Sequence, residues 1–233
     1  MPTVAALELP HRFGDPLAQL QLTDQLLSEA RGAQLAVLPE CGLTGYLSAA
    51  EDYDLRAFAE PLDGPTCKAL AQLARKHSIA LAGPLIEADG SVFYNAFVVF
   101  DSKGRRIAHY RKRNPWLPEK WAARGDLGNP IFEVGGLRIT IAICFDVHFL
   151  AEDAGAQLRA ADVLLFPSAW VDDEPGDSRD TLLPALARTF RISIVNANWG
   201  AGVPAVRGQG GSRIVAASGA QTKSTGRVVL GEV

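Results

Sequence analysis

The stretch Leu137-Arg138-Ile139-Thr140-Ile141-Ala142-Ile143-Cys144-Phe145-Asp146-Val147-His148-Phe149-Leu150-Ala151-Glu152 passes abruptly from an apolar, β-branched run to a polar cluster. Ile139, Ile141, Ile143 and their neighbours predict a buried strand leading directly into Cys144. Asp146, His148 and Glu152 follow at once. A thiol at the end of a buried strand, opening into a turn, is well placed to be a held nucleophile. It also fits a small packing residue, because free cysteine is among the most buried residue types. For a cysteine taken alone the packing reading is the better one; two other stretches reverse it.

Working outward, the 233 residues are 48% hydrophobic, which suits one globular domain, 1-233, with a sizeable core. The net charge of −3 leaves no basic footprint for nucleic acid. Charged residues, 21% of the chain, are too dispersed for a tail or a membrane-binding strip. Three cysteines, Cys41, Cys67 and Cys144, lack the spacing of a disulfide framework. With no signal peptide at the start, a cytoplasmic location is expected. No apolar segment approaches the roughly 20 residues that span a bilayer.

The pattern predicts strands at Thr3–Leu9, Gln34–Pro39 and Ile79–Ile86, and a hairpin of Ser91–Asp101 with Arg105–Arg111 across Gly104. Further strands are Ile131–Val134 paired with Leu137–Cys144, Ala161–Pro167, Ile192–Ala197, Ser212–Ala217 and Arg227–Val233. Helical spacing covers Pro16–Arg31, Ala50–Glu60 weakly, Pro65–His77, Phe149–Ala160 and Thr181–Phe190, where Pro184 is tolerable only in the first turn. Gly200–Gly211 reads as flexible, and Val171–Asp180 as an acidic loop. There is no internal sequence repeat. Strands alternating with helices, with a hairpin between, support an α/β domain whose sheets are covered by helices.

Glu40 and Lys112 share a feature with Cys144: each lies at or just beyond the end of a predicted strand. If those strands are neighbours in sheets, their ends converge. A carboxylate placed like Glu40 either caps the next element or does chemistry, and position alone leaves these even. The basic run Tyr110-Arg111-Lys112-Arg113 would ordinarily be a solvated surface.

Taken in order, the motifs Leu38-Pro39-Glu40 with Gly42-Leu43-Thr44-Gly45-Tyr46, Tyr110-Arg111-Lys112 and Ile143-Cys144-Phe145-Asp146 resemble those of the nitrilase, or carbon–nitrogen hydrolase, superfamily. Gly83-Pro84, Tyr94-Asn95, Gly125-Asp126, Pro167-Ser168-Ala169-Trp170, Ala187-Arg188, Asn198 and Gly211-Ser212-Arg213-Ile214 match in the same order. Each motif alone is weak; the ordered set is specific. The resemblance implies an α-β-β-α sandwich of two mixed sheets flanked by helices, and a homodimer or an assembly built from dimers.

It also implies a role for each matching residue. Cys144 is the nucleophile, Glu40 the general acid and base, and Lys112 the oxyanion stabiliser, aided by the backbone N–H of Phe145. Glu119 is the second glutamate that positions Lys112 or substrate; a surface residue beside Lys120 is the lesser reading. Tyr46, Trp116, Phe145, His148 and Trp170 are the expected substrate-binding residues, with Trp170 also readable as a core aromatic. Asp146 is expected to hold the turn after Cys144. No metal or organic cofactor is implied; Cys144 and His148 lack a second ligand pair nearby.

Many members carry Arg where this chain has His148, and in several amidases and carbamoylases that Arg contacts a substrate carboxylate. Its replacement argues against an ω-amidase or N-carbamoyl amino acid hydrolase. Cys144-Phe145-Asp146 resembles the amidase branches rather than the Cys-Trp-Glu usual in nitrilases proper. The expectation is therefore a cysteine-dependent hydrolase of a small amide. The alternatives are an N-carbamoyl amidohydrolase or nitrilase, and, in another class, a non-catalytic scaffold on the same fold. The acidic run Asp172-Asp173-Glu174 and Asp177 hints at a basic substrate but reads better as a solvated loop.

Overall fold

Strand β1 (Thr3–Leu7) shows why the apolar runs are unbroken: Val4 and Ala6 enter one core, Ala5 and Leu7 another, and all are fully buried. A strand covered on both faces needs apolar residues at every position rather than at alternate ones. The structure is a computed structural model that describes residues 2–223 and 226–233.

Among the described residues the strands form two six-stranded mixed sheets. The first runs β12 (Val228–Glu232), β1, β2 (Leu35–Val37), β3 (Ala80–Asp89), β4 (Val92–Phe100), β5 (Arg106–Arg111). The second runs β11 (Gln221–Lys223), β10 (Arg213–Val215), β9 (Ser193–Asn196), β8 (Val163–Leu165), β7 (Leu137–Ile141), β6 (Phe132–Val134). Each contains three consecutive parallel strands, flanked by one antiparallel strand on one side and two on the other. The topology therefore repeats where the sequence does not.

The sheets face each other across a core that includes Val37, Phe97, Val99, Ile139, Ile141, Ile143, Val163 and Val195. Helices α1 (Pro16–Glu29) and α2 (Pro65–His77) cover the outer face of the first sheet through Leu26, Leu27, Leu70 and Ala74. Helices α3 (Leu150–Asp153), α4 (Gly155–Ala160) and α5 (Arg179–Phe190) cover the second through Leu150, Leu158, Leu183 and Ala187. This is the α-β-β-α sandwich. Proline opens both α1 and α2 at a position where a missing N–H costs nothing.

Four expectations need correction. Ala50–Glu60 holds only a 3₁₀ turn at Arg56–Phe58. There the carboxylate of Asp52 accepts from the N–H of Asp54 (3.0 Å), and that of Asp54 from the N–H of Arg56 (3.0 Å). Such local bonds compete directly with a helix ladder. Phe149–Ala160 is two short helices broken at Ala154, just before Gly155. Pro184 lies beyond the first turn because α5 begins at Arg179; the carbonyl of Asp180, which a residue other than proline would serve, accepts from Gln221 Nε2 (3.2 Å). Gly200–Gly211 is held in place: the carbonyls of Gly208 and Gly210 accept from the side chains of Arg179 and Asn198 at 2.7–3.3 Å. No helix among the described residues is long and apolar enough to cross a membrane.

Candidate active site

Glu40, Lys112 and Cys144 all follow strand ends at one edge of the sandwich. Glu40 comes three residues after β2, Lys112 directly after β5, and Cys144 three residues after β7. Both Glu40 and Cys144 sit at sharp bends: Cys41 has φ 48° and Cys144 φ 44°. A left-handed backbone at a residue other than glycine costs on the order of 1–3 kcal/mol, so the surroundings must enforce it.

At Cys144 the enforcement comes from Asp146. Its carboxylate accepts from the N–H of Ile143 (2.9 Å), the N–H of Asn114 (2.8 Å) and the hydroxyl of Tyr110 (2.8 Å). The N–H of Cys144 itself donates to the carbonyl of Pro167 (3.0 Å). Burial pushes the Asp146 carboxyl up to about 6, against the pull of Lys112 and these donors. Asp146 thus fastens the turn carrying the thiol to the segment carrying Lys112.

The glutamates and the lysine form a closed, buried cluster. Lys112 Nζ donates to Glu40 Oε1 (2.6 Å) and Glu119 Oε2 (2.7 Å). Asn95 Nδ2, on β4, donates to Glu40 Oε1 (2.8 Å) and Glu119 Oε1 (2.6 Å). The N–H of Ala169 donates to Glu40 Oε2 (2.9 Å), and that of Trp116 to Glu119 Oε2 (2.6 Å). All four side chains are at most 2% exposed. Burial pulls the Lys112 ammonium down, but Glu119 and Glu40 outweigh it and hold it charged well above the usual lysine range. Burial raises the Glu119 carboxyl, Lys112 opposes this, and the net direction is upward.

Cys144 belongs to the same electrostatic unit. Burial, then the Glu40 carboxylate, push its thiol well above the ordinary cysteine value; Lys112 and the N–H of Ala169 pull the other way. The resting group is a neutral thiol beside a carboxylate, a pair suited to removing the proton as the sulfur attacks.

Tyr46, Trp116, Phe145, His148 and Trp170 line a cavity of about 150 Å³ that opens onto Cys144. Ala169, Val171 and Asp173 complete its wall. The rings of Tyr46 and Trp116 stack at 6.4 Å, and Trp170 is pinned by its Nε1 on Asp172 Oδ1 (3.0 Å).

Several functional contacts carry no sequence signal of their own. Asn95, Ala169 and Asn198 stand in matching motifs, but their contacts emerge only from the fold. Asn198 Oδ1 accepts from Ser168 Oγ (2.9 Å) and the N–H of Trp170 (2.9 Å), gripping the backbone on both sides of Ala169. The acidic segment is not a plain solvated loop: Asp172 is buried, Asp177 pairs with Arg179 and Arg213, and Asp173 reaches the cavity. Among the described residues no group of three or more His, Cys, Asp or Glu side chains is placed to hold a metal ion.

A sequence model of the carbon–nitrogen hydrolase family matches residues 3–228, and the chain belongs to that family, within the nitrilase superfamily. It is 32% identical over 170 residues to a protein of Pseudomonas protegens described as a hydrolase in the pqqF 5′ region. It is also 32% identical over 171 residues to a nitrilase of Pyrococcus abyssi. These matches cover 71% and 72% of this chain but 59% and 65% of the relatives, so the matched part spans less than two thirds of either. Among solved structures it resembles a cysteine-to-alanine variant of the amidase from Nesterenkonia sp. AN1 in complex with butyramide. There the identity is 25%, the TM-score 0.81, and the coverage 100% of this chain and 90% of that one.

Proposed function

We propose that this protein hydrolyses the C–N bond of a small amide through a thioester on Cys144. The observation that carries the proposal is the buried cluster in which Glu40 shares Lys112 with Glu119 while both Glu40 and Lys112 act on the Cys144 thiol.

Glu40 takes the thiol proton as Cys144 Sγ attacks the amide carbon. The negative charge that develops on the carbonyl oxygen is met by Lys112 Nζ and the backbone N–H of Phe145. Glu40 then gives its proton to the amide nitrogen, the C–N bond breaks, and ammonia or amine leaves. Water attacks the thioester, losing a proton to Glu40; the C–S bond breaks, and the proton returns to the sulfur. The balance is amide plus water giving acid plus amine. Glu119 positions Lys112, because it accepts from the same ammonium and is itself fixed by Asn95 and Trp116.

A small amide is favoured by the modest cavity and by the likeness to an amidase whose variant was solved with butyramide. The test is release of ammonia from butyramide, compared with butyronitrile and an N-carbamoyl amine, by wild type, Cys144→Ala and Glu40→Gln. Butyramide turnover that both substitutions abolish supports the reading. Faster turnover of the nitrile than of the amide, or of the carbamoyl compound alone, overturns the choice of substrate. The same reading extends to a homodimer, checked by sedimentation at micromolar concentration. It also extends to a cytoplasmic location, consistent with three free thiols and checked by cell fractionation.

A further inference from the structure

We infer that the preferred substrate is a cationic amide, one whose acyl chain carries an organic ammonium group toward an aromatic wall closed by Asp173. This rests on the amide-hydrolase reading above and names its substrate class.

The cavity at Cys144 is bounded by the rings of Tyr46, Trp116, Phe145 and Trp170, with the imidazole of His148 against Phe145 (5.1 Å) and Trp170 (6.3 Å). Its lining includes one acidic residue, Asp173, which is solvent-exposed, and no lysine or arginine. The cation nearest the chemistry, Lys112, is already held between two carboxylates and is fully buried. Arg207 lies outside the wall and gives Nη1 to the main-chain carbonyl of Asp173 (2.5 Å), not to its carboxylate.

An aromatic face attracts a cation through its quadrupole, and a carboxylate beside it adds direct attraction. An anionic acyl chain meets the opposite field and finds no cationic partner in the wall. Position 148 reinforces this. It holds an imidazole, not the guanidinium of an arginine. The rings are not free to turn away: Trp170 Nε1 is bonded to Asp172 and to Ser178 Oγ (3.1 Å), and Trp116 is stacked on Tyr46. The device is a slot of held aromatic rings with a single acidic residue at its wall.

The experiment measures kcat/KM for ω-amino primary amides of graded chain length, each beside its alkyl and ω-carboxy counterpart of equal length. Wild type, Asp173→Asn and Asp173→Lys are compared. In parallel, calorimetry on Cys144→Ala reads binding of the same compounds without turnover. At one chain length the cationic amide should exceed the anionic one by about tenfold or more. Asp173→Asn should shrink that ratio, Asp173→Lys should invert it, and added salt should weaken it. Equal or better use of the ω-carboxy amides, or a ratio unmoved by both substitutions, overturns the inference. If no amide is turned over but Cys144→Ala still binds the ammonium compounds preferentially, the hydrolase reading fails and the cation site stands. If hydrolysis occurs with no preference for charge, the reverse holds.

Discussion

Asn95→Leu removes one amide group from the centre of the acid–base cluster while keeping the branched outline of its heavy atoms. In the wild type, a single Nδ2 donates to Glu40 Oε1 at 2.8 Å and to Glu119 Oε1 at 2.6 Å. Both bonds are buried and made to carboxylates, the class that contributes about 1.5–3 kcal/mol each. The substitution leaves Glu40 Oε1 with Lys112, and Glu119 Oε1 with no donor among the described residues. Two carboxylates that shared a donor then face each other in a water-poor site. The net loss should be about 3–5 kcal/mol. For a protein of this size, that corresponds to a fall of roughly 6–20 °C in melting temperature. The carboxyl pair should hold a proton more readily, moving the acid limb of the kcat/KM profile to higher pH. Circular dichroism melts and a pH–rate profile with butyramide read both effects. A melting temperature within about 2 °C of wild type, together with an unmoved acid limb, would refute the assignment of Asn95 as the bridge between the glutamates.

Other perturbations test neighbouring parts of the account. A Cβ at Gly125 would lie 2.1 Å from the Arg111 carbonyl oxygen and 2.8 Å from that of Lys112. Gly125→Ala should therefore displace Lys112, lowering kcat by about 10²-fold with a stability loss of about 1–3 kcal/mol; unchanged kcat contradicts this. Asp146→Asn places an amide among the N–H and O–H donors now facing a carboxylate and should destabilise by about 2–4 kcal/mol while lowering turnover, as read by denaturant unfolding and kcat. Burial would raise Glu87, but His109 and Arg111 overcome it and hold the carboxyl at about 2, below its ordinary 4.5. A depressed folded-state value contributes stability above the unfolded value, lost as pH falls through the folded one. The melting-temperature gap between wild type and Glu87→Gln should be full at neutral pH and close as pH falls from about 4.5 toward 2. A gap constant across that range argues against the ion pairs.

Much of this was readable in the residues because burial on both faces writes itself plainly. The strand at Ile139 and the helix at Pro65–His77 announce themselves through apolar runs, an opening proline and a basic last turn. Edge elements do not. Strand β11, Gln221-Thr222-Lys223, is polar throughout because it pairs on one side only and faces solvent. The acidic residues misled for a related reason: Asp52 and Asp54 bond to the backbone within their own loop, and Asp177 meets Arg213, far away in sequence. Sequence motifs named Glu40, Lys112 and Cys144. They could not show that Asn95 joins two glutamates, or that the backbone N–H of Ala169 donates to Glu40. The contact of Ala169 with Glu40 crosses between the two sheets, whose shared topology no sequence repeat betrays.

The thioester on Cys144 is the step on which the whole mechanism turns. Rapid acid quench of the enzyme with butyramide in excess, followed by intact-mass analysis and peptide mapping, reads it directly. The account predicts an added mass of one butyryl group on the Cys144 peptide in the wild type, none in Cys144→Ala, and no net acylation in Glu40→Gln. Turnover of butyramide by Cys144→Ala at the wild-type rate, or a butyryl group mapped to any other residue, would contradict it.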